Sequence, residues 1–148
     1  TLTPHLGVVE QGDWRFVVAD IPGLIEGASE GKGLGRQFLR HIERTSILLY
    51  VLELKGDKSD SPESLINDYL TLHREVMSYS EVMKDKRSLV AVNKADLVPS
   101  GQELANIKHG LEEASQRTVF LISAKDQTGL NSLIAGLGLL LTANKKDF

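Results

Sequence analysis

The sequence predicts an α/β domain with a mainly parallel sheet and helices on both faces. Three observations carry that expectation. After an opening hairpin, apolar strand-like runs alternate with amphipathic helical stretches, the order that gives parallel strands joined by crossover helices. Several of the runs are apolar at nearly every position, as strands covered on both faces are. Polar clusters beginning at Asp20, Asn93 and Ser123 each follow such a run, and a parallel sheet gathers its ligand-binding loops at strand carboxyl ends.

The elements follow in order. Residues 6–10 and 14–20 read as a hairpin joined by Gln11-Gly12-Asp13, the second run apolar enough to be covered on both faces. Five glycines between Gly23 and Gly35 make a poor regular element and a loop. Residues 36–44 resume helical spacing, with Phe38, Leu39 and Ile42 on one side. Residues 46–54 read as a buried strand. Ser61-Pro62 starts a helix, Ser as cap and Pro in the first turn, carried on by Leu65, Ile66, Tyr69, Leu72, Val76 and Met77. A strand at 88–92, an amphipathic helix at 103–115, a short strand at 119–122 and a helix at 130–141 complete the pattern. The charged loop 55–60 suggests no function.

The 148 residues amount to one domain, with 41% apolar and 25% charged side chains. No cysteine is present, which excludes disulfides, thiolate metal sites and a Cys nucleophile. Seventeen Lys and Arg against twenty Asp and Glu leave a net charge of −3. That balance gives no general drive toward nucleic acid or anionic membrane, so any RNA contact is a local patch. The longest apolar runs, 47–52 and 137–141, fall far short of a membrane span. The chain opens without Met, at Thr1-Leu2-Thr3-Pro4, and is expected to be a piece of something longer.

Asn93-Lys94-Ala95-Asp96 is the sharpest chemical signal. A carboxylate facing a purine edge accepts two hydrogen bonds from guanine N1–H and the 2-amino group. Adenine offers neither, which would leave Asp96 desolvated and unpaired. Asn93 would tie neighbouring loops and reach the base, and the stem of Lys94 would cover the ring with its ammonium in water. The bland alternative is a strand-to-helix turn whose polar residues cap the next helix. Ser123-Ala124-Lys125 sits in an equivalent place, where the Ala124 N–H would donate to guanine O6; its alternative is a Ser-capped turn. Asp20-Ile21-Pro22-Gly23 ends an apolar strand. There an aspartate holds Mg²⁺ through its water shell, and Gly23 lets a backbone N–H approach a phosphate. The alternative is an ordinary turn.

In this order, Asp-x-x-Gly, Asn-Lys-x-Asp and Ser-Ala-Lys resemble translation-factor-type GTPases. Three stretches narrow the likeness to the Obg family of ribosome-associated GTPases: Thr1-Leu2-Thr3-Pro4-His5-Leu6-Gly7-Val8-Val9, residues 16–28 (Phe16 to Ala28, including Ile25-Glu26-Gly27-Ala28), and residues 31–44 with Phe38-Leu39-Arg40-His41-Ile42-Glu43-Arg44. The related Drg GTPases share parts of this but not usually that last helix. The likeness is dense over 1–54, returns at 88–96 and 119–125, and elsewhere holds only in pattern.

The resemblance implies a Ras-like P-loop GTPase fold, an Obg-type G domain over 1–148, here truncated at its N-terminal side. It implies GTP and GDP as ligands, Mg²⁺ as cofactor, hydrolysis of GTP, and a switch role in large ribosomal subunit assembly. It further implies contact with that subunit and its RNA, no DNA partner, a monomer, and a cytoplasmic home, or the mitochondrial matrix in a eukaryote. Carried over by position, Thr1 and Asp20 match the Mg²⁺ ligands, and Leu2 and Thr3 lie in the same nucleotide-facing segment. Asp20, Ile21, Pro22 and Gly23 match the γ-phosphate loop. Asn93, Lys94, Ala95 and Asp96, with Ser123, Ala124 and Lys125, match the guanine-reading loops. His5 stands where the family usually has Asn. Leu24, an apolar residue the family shares, replaces the glutamine that orients water in Ras-type enzymes. Gly27-Ala28-Ser29-Glu30-Gly31-Lys32-Gly33 is one spacer short of a P-loop and lacks its hydroxyl, so the resemblance sets the true loop upstream. A first strand lying there would leave a gap between 14–20 and 46–54, a rearranged sheet or a partner in the slot, and residues 1–148 alone would be aggregation-prone or molten and bind GTP no better than weakly. The alternatives are a nucleotide-inert ribosome-binding or scaffold module, and a Drg-type GTPase.

Arg36, Arg40 and Arg44 share one helix face, which reads either as a grip on ribosomal RNA phosphates or as a solvated surface. His5 and His41 read as structural, and Trp14 as core.

Overall fold

The computed structural model describes residues 6–11, 14–19, 45–78 and 81–146. Strands β1 (Leu6–Gln11) and β2 (Trp14–Ala19) form an antiparallel hairpin with Leu6 opposite Ala19. Glu10 and Arg15 face each other across it, with Nε 3.3 Å from Oε1, an exposed pair of small worth.

The second sheet is parallel, in the order β3 (Ile47–Glu53), β4 (Arg87–Asn93), β5 (Val119–Leu121). Helix α1 (Pro62–Met77) crosses from β3 to β4, and α2 (Gly101–Ser115) from β4 to β5. Helix α3 (Leu130–Lys146) follows β5. Ser61 caps α1, its Oγ accepting the Ser64 N–H at 3.1 Å, with Pro62 in the first turn. Ser100 caps α2 through the Glu103 N–H at 3.3 Å, so α2 starts two residues before the expected Glu103. Helix α3 runs beyond the expected Leu141. Two short 3₁₀ turns, Glu81–Asp85 and Ala95–Leu97, are additional to the expected elements.

Helices cover both faces of the parallel sheet. Leu48, Tyr50, Leu52, Val90 and Val92 point to one face and pack on Leu65, Tyr69 and Val76 of α1 and Ile107 and Leu111 of α2. Ala91 and Ile122 face Leu133 on the other side, with Leu49, Phe120 and Leu137 against them. Gly136 admits the Phe120 ring there, since a Cβ would lie 2.6 Å from its Cζ. β4 is buried from Ser88 to Val92, the central strand its apolar run predicts.

Burial of β3 is narrower than expected for 46–54. Leu48, Tyr50 and Leu52 are buried, while Val51 is 48% exposed on the alternate face. β2 also departs from expectation, with Val18 41% exposed. The physical reason is shared. β2 and β3 belong to different sheets, so among the described residues each pairs on one edge only and has less to cover it. Among the described residues β2 and β3 lie in different sheets and do not pair with each other. Residues 20–44, with the glycine-rich loop and the helix expected after it, lie outside the described residues.

Candidate functional site

Because β4 and β5 are adjacent and parallel, the loops leaving their carboxyl ends meet. The first begins at Asn93, whose carbonyl accepts the Leu54 N–H at 3.1 Å. Lys94 follows with a left-handed backbone, φ 66°, and the 3₁₀ turn Ala95–Leu97 brings Asp96 round toward the second loop. The Ala95 N–H donates to Ile122 O at 3.0 Å, stitching the two loops at their base.

The second loop closes on itself. Ser123 and Thr128 exchange backbone hydrogen bonds at 3.0 and 3.1 Å. Gln127 and Gly129 take positive φ, 60° and 75°, to turn the chain into α3. Gly129 is required there, because a Cβ would stand 2.3 Å from Leu121 O.

Two side-chain contacts lock the loops together. The Ser123 hydroxyl, 1% exposed as a residue, donates to Asp96 Oδ1 at 2.8 Å. The Ala124 N–H donates to Asn93 Oδ1 at 3.0 Å. The Ser123 Oγ also accepts the Asp126 N–H at 3.2 Å, so Ser123 caps its turn and holds Asp96 at once. Asp96 itself is exposed, and its Oδ2 has no partner among the described residues. The arrangement is an anchored carboxylate with one oxygen turned outward, suited to accept from a donor pair on a flat ring.

The helix-capping alternative for 93–96 does not hold, because Ser100 caps α2 while Asn93 and Asp96 reach the other loop. One expectation needs correction. The Ala124 N–H, expected to be open for guanine O6, is taken by Asn93 Oδ1. The loops are neighbours, and an amide N–H pairs with the acceptor nearest to it. Lys125 is exposed, and its N–H has no partner among the described residues. Lys94 reaches across to β3, Nζ 3.3 Å from Glu53 Oε2, both side chains about half exposed.

Sequence reasoning missed Glu53, Thr128 and Gly129 as parts of this site. Gly129, placed just ahead of an apolar helix, carried the one usable signal. Gly56, at φ 79°, packs against Leu97 so closely that a Cβ would meet its Cβ at 3.1 Å, which supports the turn holding Asp96. The Asp60 carboxylate pins that loop by accepting the Lys55 and Gly56 N–H groups at 2.9 and 2.7 Å.

The remaining expected site residues, Thr1, Leu2, Thr3, Asp20, Ile21, Pro22 and Gly23, lie outside the described residues, as does Leu24. Among the described residues no group of His, Asp or Glu is placed to hold a metal ion, and no helix is long and apolar enough to cross a membrane.

Comparison with known proteins agrees with the geometry. A family model described as "50S ribosome-binding GTPase" matches residues 1–94. GTPase Obg of Clostridium acetobutylicum is 42% identical over 135 residues, covering 90% of this chain and 31% of the relative. GTPase Obg of Oceanobacillus iheyensis is 44% identical over 135 residues, covering 90% and 30%. GTPase Obg of Chloroflexus aggregans is 42% identical over 144 residues, covering 97% and 32%. The chain thus spans about a third of the length of these relatives. The chain belongs to the 50S ribosome-binding GTPase family, with Obg GTPases among its relatives.

Proposed function

We propose that this chain supplies the guanine-reading half of a nucleotide site in a protein that binds GTP and GDP, hydrolyses GTP slowly, and switches on the large ribosomal subunit. The single observation that carries the reading is the lock between the loops. Asp96 is fixed through one oxygen by Ser123, which leaves the other directed outward. Guanine offers N1–H and the 2-amino group to that carboxylate. Adenine offers neither, so it leaves the desolvated charge unpaired, a penalty of about 1–3 kcal/mol or more. Base O6 falls to the backbone donors of the Ser123-Ala124-Lys125 loop. The Lys125 N–H has no partner among the described residues, while that of Ala124 is held by Asn93 Oδ1. The stem of Lys94 covers the ring while Glu53 holds its ammonium at the rim.

On this reading Thr1 and Asp20 would hold Mg²⁺, which would supply charge neutralisation at the phosphates. Leu24 cannot hydrogen-bond an attacking water, so unassisted hydrolysis is slow, on the order of 10⁻⁴–10⁻² s⁻¹. A cytoplasmic monomer whose ordered and loose states follow the nucleotide fits the same reading.

The test uses the full-length protein and a fluorescent GDP analogue, displaced in turn by GDP and ADP. GDP should displace it at least a hundredfold better. Single-turnover hydrolysis should stay in the slow range alone and accelerate with 50S subunits. Equal displacement by ADP overturns the base reading, and rates of several per second without a partner overturn the kinetic one.

A further inference from the structure

The charged loop 55–60 leaves the carboxyl end of β3 and leads into α1. Its start runs beside the Asn93–Asp96 loop, because the register sets Glu53 opposite Asn93. The Leu54 N–H donates to the Asn93 carbonyl at 3.1 Å, and the Glu53 carboxylate holds Lys94 Nζ at 3.3 Å. Gly56 packs on Leu97, where a Cβ would stand 3.1 Å from the Leu97 Cβ. These contacts fall on both sides of Asp96 along the chain. Ser123 holds Asp96 from the β5 side, so the turn that carries it is clamped between two loops.

Asp60 stiffens the β3 side of that clamp. Its Oδ1 accepts the Lys55 N–H at 2.9 Å and its Oδ2 the Gly56 N–H at 2.7 Å. Bonds from two successive amides to one carboxylate are charge-assisted, and they fix the peptide between them. That peptide sets the position of Gly56, whose φ of 79° glycine adopts without strain. Asp60 is itself referred to the core. It precedes Ser61, the cap of α1, and Gly110 of α2 packs on the next residue, where a Cβ would lie 3.2 Å from Pro62 Cβ. The Asp57 carboxylate, by contrast, turns back on its own loop and accepts only from the Ser59 N–H and hydroxyl. Gly56 is exposed and Leu97 is 42% exposed, so their contact buries little apolar surface and adds little stability. Its consequence is where the turn sits.

We propose that Asp60 is a positioning residue for base reading. Through Gly56 and Leu97 it fixes the turn that carries Asp96, and so sets how well the guanine 2-amino group is discriminated and how long the nucleotide stays. The proposal rests on the reading of Asp96 as the base-facing carboxylate.

The experiment uses the full-length protein as wild type, Asp60→Ala, Asp60→Asn and Asp57→Ala. Release of a fluorescent GDP analogue is followed by stopped flow, which reads only folded, loaded protein. Displacement of the same analogue by GDP and by inosine diphosphate, which lacks the 2-amino group, gives the base preference. Wild type should prefer GDP by roughly tenfold or more. Asp60→Ala should release nucleotide roughly three- to tenfold faster and at least halve that preference, since a carboxylate moved by a fraction of an ångström loses its fit to the donor pair. Asp60→Asn keeps one acceptor oxygen and should fall between. Asp57→Ala should match wild type in both. A loop that served stability alone would weaken both nucleotides equally, so faster release with an undiminished preference overturns the proposal. An Asp60→Ala that matches wild type overturns it too, as does an Asp57→Ala that shifts both readouts as far. In each of those cases a wild type that prefers GDP leaves the base reading standing. A wild type that binds both nucleotides equally overturns the base reading, and the role of Asp60 with it.

Discussion

Gly129→Ala tests the loop architecture at its tightest point. The new Cβ would lie 2.3 Å from Leu121 O and 3.2 Å from Ile122 Cα. A relaxed carbon–oxygen approach is roughly 3.3 Å, so the turn must open by about 1 Å. Alanine at φ 75° adds a backbone cost of about 1–2 kcal/mol. The obstacle is backbone in β5, so no flexible side chain can yield, and the total should reach about 2–4 kcal/mol. For a domain of this size that lowers Tm by about 5–15 °C. The displacement falls on Leu121 and Ile122, which lead directly into Ser123, so guanine nucleotide affinity should fall as well. Gly101→Ala is the matched control. It sits in the first turn of α2 with nothing within 4 Å of its Cβ, and should be neutral or stabilising by up to about 1 kcal/mol. Thermal melts of both variants in the full-length protein, with and without GDP, supply the comparison. If Gly129→Ala melts alongside Gly101→Ala, the turn is not as tight as its geometry requires and the reasoning fails.

Ser123→Ala removes both the donor to Asp96 and the acceptor for the Asp126 N–H in a buried position, so GDP dissociation should speed by roughly tenfold or more. His73 stacks on Tyr69 with its Nδ1 3.0 Å from Tyr50 Oη, and burial, then the nearby Arg117, lowers its pKa. The unfolded chain takes up that proton near pH 6.5 and the folded one resists it, so this contribution is complete above pH 6.5 and is lost as pH falls below it. Urea midpoints at pH 7.5 and 5.5 should show the decline, and His73→Gln should flatten it. Ser61→Ala should cost about 1 kcal/mol by uncapping α1, read as a lower urea midpoint at unchanged slope.

The site is legible in the sequence to the extent that its chemistry is local. A strand followed by Asn93-Lys94-Ala95-Asp96 needs only the pattern of the run before it, and Ser61-Pro62 marks the start of α1 at the residue observed. What the pattern cannot show depends on separation in space. The Ala124 N–H and Asn93 are 31 residues apart, and only the adjacency of β4 and β5 makes them partners. The same holds for Glu53 beside Lys94, which follows from the register pairing Glu53 with Asn93. The exposure of Val51 and Val18 is hidden because an apolar residue declares its preference and not whether a neighbour arrives to cover it. The 3₁₀ turn at Ala95–Leu97 is hidden too, because three residues carry no periodicity.

The central claim is that Asp96 reads guanine, and Asp96→Asn tests it most directly. The amide keeps Oδ1 for the Ser123 hydroxyl and places an N–H where Oδ2 faced outward, so the loop lock survives while the reading edge changes from acceptor to donor. Against guanine that donor meets N1–H and the 2-amino group. Against xanthine it meets the C2 oxygen. Titration calorimetry on the full-length variant should show GTP weakened by about 2–4 kcal/mol, from roughly thirtyfold to several hundredfold, and XTP bound more tightly than by wild type. GTP affinity left unchanged, with no gain for XTP, would contradict the assignment of Asp96 as the residue that selects the base.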